Sequence, residues 1–279
     1  MSINLIDDFF VTKGSYKSLA EHLECWAVVN KDVSKLTNKD NLKNIKYKLY
    51  KELISDENSC VLYRQQNNAS DALVRYWLSN VKKISHLYGV VNNIPKFEGI
   101  TKEYIREIIN LSRDINNLKK LEGILSRKGI IFIVEKSVDS LKTDGAVYIN
   151  DNDHAVVSLS LRYKRLDNFW FTLTHELAHL HLHHANLKEP IIEDLDIELE
   201  DNFVEKQANM LARELLIPRA AWRNCPCKYD NKESVLRKFA SSIGVHPSIV
   251  AGRIRFEQNN FTLYKDIINE VDVREIFST

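Results

Sequence analysis

The run Phe169-Trp170-Phe171-Thr172-Leu173-Thr174-His175-Glu176-Leu177-Ala178-His179 constrains this chain more than any other stretch. It is rich in apolar residues, contains no helix breaker and holds two histidines four residues apart. An α-helix advances 3.6 residues per turn, so His175 and His179 fall on one face, one turn apart. Both imidazoles then reach a single Zn²⁺, and Glu176, one position round, addresses a water on that metal. Leu173, Leu177 and Leu180 lie on another side and are expected to bury the helix in a core. Asp167 or Asn168 is placed to cap its start. A bare His-Glu-x-x-His is short enough to arise as ordinary helix chemistry, so a third ligand elsewhere decides the matter.

The rest of the chain bounds where that ligand can come from. With 279 residues there is room for one large domain or two modest ones. A composition 44% hydrophobic and 28% charged is that of a soluble globular protein, and a net charge of +1 gives no global field toward nucleic acid or anionic membrane. Cys25, Cys60, Cys225 and Cys227 make no disulfide framework for this length, and Cys225-Pro226-Cys227 is too close-set for structural zinc. The first ten residues carry Asp7 and Asp8 and lack a basic start with an apolar run, so no signal peptide is expected. No apolar stretch reaches membrane-span length, and the expected compartment is the cytoplasm.

Residues 1–93 read as a helical, mostly polar N-terminal region. Its lysine-rich part, Lys31 to Lys51, is expected to be a solvated helix surface. Residues 71–87 form an amphipathic pattern with Trp77 as a core anchor. A linker-like stretch at 90–99 marks a boundary, followed by a second region at 94–260 and a C-terminal extension at 261–279. Residues 101–128 read as one helix capped by Thr101 and ended by Gly129. Ile130-Ile131-Phe132-Ile133-Val134 reads as a buried strand, Asp144-Gly145 as a turn, and 146–149 and 155–161 as two more strands. The expected fold is therefore α+β, with a small, mostly antiparallel sheet leading into the His-Glu helix.

After that helix, residues 185–201 are acidic and loop-like, and their carboxylates compete as candidates for the third ligand. A helix follows over 202–217, stopped near Pro218. Glu205, Ala208, Asn209 and Ala212 share one side of it. The alanines permit close approach to the His-Glu helix, which would aim Glu205 at the metal and let Asn209 hydrogen-bond a ligand histidine. Two histidines and a glutamate leave the fourth tetrahedral position for water, as catalytic zinc requires.

His175-Glu176-Leu177-Ala178-His179, Glu205-Lys206-Gln207-Ala208-Asn209 and Leu215-Leu216-Ile217-Pro218 together resemble the ImmA/IrrE metallopeptidase family. Leu159-Ser160-Leu161-Arg162-Tyr163 and Phe169-Trp170-Phe171-Thr172 resemble its branch found as C-terminal domains of HigA-type antitoxins. The likeness spans roughly residues 100–257. It implies a gluzincin-like minimal metallopeptidase fold, with a small sheet, the His-Glu helix and a glutamate-bearing helix. It also implies zinc-dependent cleavage of a cytoplasmic repressor or antitoxin in a stress, phage or toxin–antitoxin system, with a toxin as a possible further partner. On the matching positions the metal ligands are His175, His179 and Glu205, and Glu176 is the catalytic base. Residues 1–93 depart from the branch, because they lack the helix-turn-helix that often opens such antitoxins.

Within residues 236–255, Ala240, Gly244 and Val250 sit at helix-turn-helix spacing, with Pro247 opening the second helix and Arg253 and Arg255 placed to meet phosphate. Near-zero net charge favours a hairpin packed on the core, and nucleic acid is not expected as the main ligand. His183 lies one turn beyond His179, but three ligands on successive turns of a straight helix cannot converge on one ion. It is assigned to supporting or packing work; His22, His86, His154 and His246 receive no role. Residues 155–161 are a candidate edge on which an extended substrate pairs. The competing functional class is a non-catalytic antitoxin or regulator that binds protein or DNA.

Overall fold

The computed structural model describes residues 26, 46, 47, 50, 69–136, 143–188, 191–193 and 203–277. Contacts group the chain into two units, Met1–Tyr76 and Trp77–Thr279. Most of the lysine-rich stretch lies outside the described residues of the first unit, as do Cys25, Cys60 and His22. All that follows concerns the second.

Helix α1 (Ala69–Val91) enters this unit at Trp77, which is buried and donates its indole N–H to the Glu135 carbonyl at 2.8 Å. The anchor role read from its pattern is the one it plays. An extended segment leads to α2 (Lys102–Asn110), where Thr101 Oγ1 accepts from the Tyr104 amide at 3.2 Å. The single helix expected to 128 is broken. Two 3₁₀ segments, Leu111–Arg113 and Ile115–Lys120, precede α3 (Leu121–Ser126). Asp114 is extended and its carboxylate accepts from the Asn116 amide, restarting the chain, while distant partners hold the segment before it. Ser112 Oγ accepts from the His246 amide and Arg113 donates to the Gly244 carbonyl.

Strands β1 (Ile130–Val134), β2 (Gly145–Ile149), β3 (Ala155–Leu159) and the short β4 (Ile191–Glu193) form one sheet in the order β1-β3-β2-β4. β2 pairs antiparallel with both its neighbours, and only β1–β3 is parallel, so the sheet is mixed but mostly antiparallel. β3 is interior, not the edge that 155–161 was expected to provide. It also stops at Leu159: Ser160 turns its amide to Asp144 O and its hydroxyl to Thr143 O, and Leu161 has φ 48°.

Helix α4 (Leu166–His183) packs on this sheet through Phe169, Trp170, Leu173, Leu177 and Leu180, all buried. Neither Asp167 nor Asn168 caps it. The helix begins at Leu166, behind Arg165, whose guanidinium grips the Asp167 carboxylate at 3.0 and 3.1 Å. In the first turn that carboxylate still opposes the positive helix end. Helix α5 (Phe203–Leu216) lies on α4 through fully buried Ala208 and Ala212. Next come α6 (Arg219–Arg223) and the hairpin α7 (Glu233–Ile243) and α8 (Pro247–Glu257), then α9 (Lys265–Asn269) and α10 (Val273–Ile276). The hairpin sinks Leu236, Ala240, Val250, Ala251 and Ile254 into the core. Its cations are turned inward: Arg253 donates to the carbonyls of Arg213 and Ile217, and Arg255 to that of Phe261. Residues beyond 260 are tied to the same unit, with the Val273 amide on Lys164 O and the Arg274 guanidinium on Leu161 O.

Candidate metal centre

On α4 the four-residue spacing places His175 and His179 as the pattern requires, both fully buried, with their Nε2 atoms 2.8 Å apart. α5 brings the third group. Glu205 Oε2 lies 3.1 Å from His175 Nε2, and Glu205 Oε1 lies 3.4 Å from His179 Nε2. Donors about 2.0–2.1 Å from one tetrahedral ion sit roughly 3.3 Å apart, so the three atoms converge as a metal site needs. Among the described residues this is the one His/Cys/Asp/Glu group with that convergence. Of the acidic residues in 185–201 read as rival ligands, Glu189 and those from Asp194 to Asp201 lie outside the described residues.

The far ring nitrogens are held as well. Asn209 Oδ1 accepts from His175 Nδ1 at 3.2 Å, leaving His175 Nε2 with its lone pair toward the site. His183, at the last position of α4, faces His179 Nδ1 with its own Nδ1 at 3.1 Å, and its Nε2 donates to Gln207 Oε1 at 3.2 Å. With that donor fixed, His183 Nδ1 accepts from His179 Nδ1, and His179 Nε2 likewise points inward with a lone pair. Such supports orient metal-binding imidazoles and raise their basicity. The sequence placed Asn209 and His183 in this neighbourhood and missed Gln207. Its signal was position alone: it lies two residues after Glu205, on the flank of α5 nearer the end of α4.

Glu176 is fully buried, and neither of its carboxylate oxygens has a hydrogen-bond partner. Its neighbour is β2. A Cβ added at Gly145 would stand 2.2 Å from Glu176 Oε1 and 3.0 Å from Thr172 Cγ2, so any side chain there would push the Glu176 carboxylate out of its place. Of Asp144-Gly145, expected as a turn, Gly145 instead opens β2, and Asp144 is a buried bend just before it, paired to Arg162 at 3.6 Å. Nothing local distinguishes such an Asp-Gly from a surface turn; the contact with Glu176 makes the difference.

Burial raises the Glu176 carboxyl well above its ordinary range, and the charges of Glu205 and Asp144 push it the same way. Burial also raises Glu205, but when protons rather than an ion occupy the Nε2 atoms of His175 and His179, their hydrogen bonds and charge outweigh that and hold it at about 2. His175 is lowered, first by burial, against the opposing pull of Glu205. Two imidazole nitrogens and a carboxylate converge beside a buried carboxyl with no partner. This donor set fits a divalent cation with an oxygen ligand near Glu176.

An α+β domain that converges two imidazoles and a carboxylate from two helices, beside a buried glutamate, has the architecture of a minimal metallopeptidase. Residues 128–255 match the M78 peptidase family described as the IrrE N-terminal-like domain, and this part of the chain belongs to that ImmA/IrrE family. Helices α1 to α3 precede the matched segment. No curated protein matches the chain. Among the described residues, no helix is long and apolar enough to cross a membrane.

Proposed function

We propose that this domain is a zinc-dependent endopeptidase that cuts a regulatory protein, a repressor or an antitoxin, in the cytoplasm. The observation that carries the reading is the Glu176 carboxyl, buried and without a partner next to the His175–His179–Glu205 convergence. A protein that only bound metal or a partner would gain nothing from such a group, because an unpaired buried carboxyl is costly.

His175, His179 and Glu205 would hold the zinc, which would supply Lewis acidity toward the scissile carbonyl and the attacking water. Glu176 takes the proton of the attacking water and delivers it to the leaving amine, a task its raised proton affinity suits. Gly145 leaves room for that carboxylate beside β2, while Asn209 and the His183–Gln207 pair hold the two imidazoles in orientation.

Zinc-loaded parent and Glu176→Gln are incubated with denatured casein and with bacterial lysate, and new N-termini are mapped by mass spectrometry. The reading expects termini that appear with the parent and are absent with the variant. The same termini from both proteins overturn it.

A further inference from the structure

The sheet order makes the flank of β2 beside the site a place where chain pairs with chain. β2 starts at Gly145, against the Glu176 carboxylate, and its inner side is taken by β3 over all five residues. Its outer side is the one direction in which a peptide pairs with this strand while lying next to Glu176. That side is held by β4, in antiparallel register with Val147 opposite Ile191, Ala146 opposite Ile192 and Gly145 opposite Glu193. β4 therefore runs toward the site, and its last residue is level with the glycine that touches the base.

The hold is slight. β4 has three residues, and each backbone hydrogen bond contributes about 0.5–1.5 kcal/mol net. Ile191 is half-buried against the core. The segment is anchored before β4 at fully buried Leu187, whose carbonyl accepts from the Ile149 amide at 2.7 Å. Release of β4 would leave that anchor and the register of β1, β3 and β2 in place.

We propose that Ile191–Glu193 is a placeholder strand. It occupies the β2 edge that an extended segment of a protein substrate takes, in the antiparallel sense, and it is displaced when that segment binds. The partner this edge fits is a loop or unfolded stretch able to pair backbone to backbone, with an apolar residue where Ile191 now lies. This inference rests on the endopeptidase reading for the word substrate, but the pairing itself needs neither metal nor turnover.

The test uses the full chain, with Ile192→Pro and, as a second variant, the double change Ile191→Gly with Ile192→Gly. Both weaken the β4 ladder and leave His175, Glu176, His179 and Glu205 untouched. The probe is a fluorescein-labelled peptide with the sequence of residues 188–196, read by fluorescence polarisation, with circular dichroism and zinc content recorded for each protein. A tethered strand competes at roughly millimolar effective concentration, so the weakened chains bind the peptide about tenfold tighter than the parent or better. Hydrogen exchange of the β2 amides is faster in the variants and slows again when the peptide is added. Equal affinity in folded parent and folded variants overturns the placeholder, as does absence of binding to both variants. Loss of zinc or of cleavage in the parent with the tenfold difference intact would count against the endopeptidase reading alone. Normal zinc and cleavage with no difference would count against the placeholder alone.

Discussion

The two helices that flank α4 approach it in the same way and do opposite work. α5 comes close through Ala208 and Ala212, α8 through Ala251 and Gly252, where an added Cβ would stand 2.4 Å from Asp167 Oδ2. Small residues let the backbones meet on both sides. On the α5 side the close approach delivers Glu205, Gln207 and Asn209 to His175, His179 and His183. On the α8 side it delivers Val250, Ala251 and Ile254 to the core, while Arg165 grips Asp167 beside it. One flank buries apolar surface, at about 25 cal/mol per Å², and stabilises the domain. The other buries polar groups whose value lies in what they hold.

The sharpest way to break that contrast is from the apolar flank. Ile254→Ala removes a buried side chain and should cost about 2–5 kcal/mol of unfolding free energy in urea titration. Zinc per folded chain should be unchanged; metal lost from the still-folded variant would show that the two flanks are not separable. From the polar flank, Asn209→Ala should weaken zinc retention about 10–100-fold in competition with a chelator. The stability of its metal-free form should move by less than about 1 kcal/mol, since one partly buried hydrogen bond is lost.

The smallest effect is one of pH on metal-free protein. The Glu176 carboxyl titrates above its ordinary 4.5 in the folded chain, so its contribution is present below that value and is lost as pH rises. Glu205 has the opposite sign: held at about 2, it adds stability above 4.5 that disappears as pH falls toward 2. Glu176→Gln cannot ionise, so its melting temperature should match the parent near pH 4 and exceed it at pH 7. A parent equal to or more stable than the variant at pH 7 would contradict the burial of an unpaired charge.

What the sequence disclosed follows from helix periodicity. His175, His179, Glu205, Asn209 and the buried leucines of α4 are fixed by spacing once two helices are known to meet, and Thr101 by its local capping geometry. What it hid depends on partners far along the chain. The break after Asn110 is held by Ser112 and Arg113 contacts more than a hundred residues away. The interior place of β3 follows from which strands pair, which no local pattern encodes, and β4 is too short to signal itself. Asp167 reads as a cap because its type favours caps, but Arg165 claims its carboxylate first. Gly145 looks like half of a turn and is the close contact of Glu176.

The most direct test is the zinc content of the purified chain beside its Glu205→Ala variant, measured by elemental analysis with folding checked by circular dichroism. The convergence of Glu205 with His175 and His179 predicts one zinc per chain in the parent and almost none in the folded variant. A parent prepared without chelator that carries no zinc, or a variant that keeps it all, would contradict the metal centre on which the account rests.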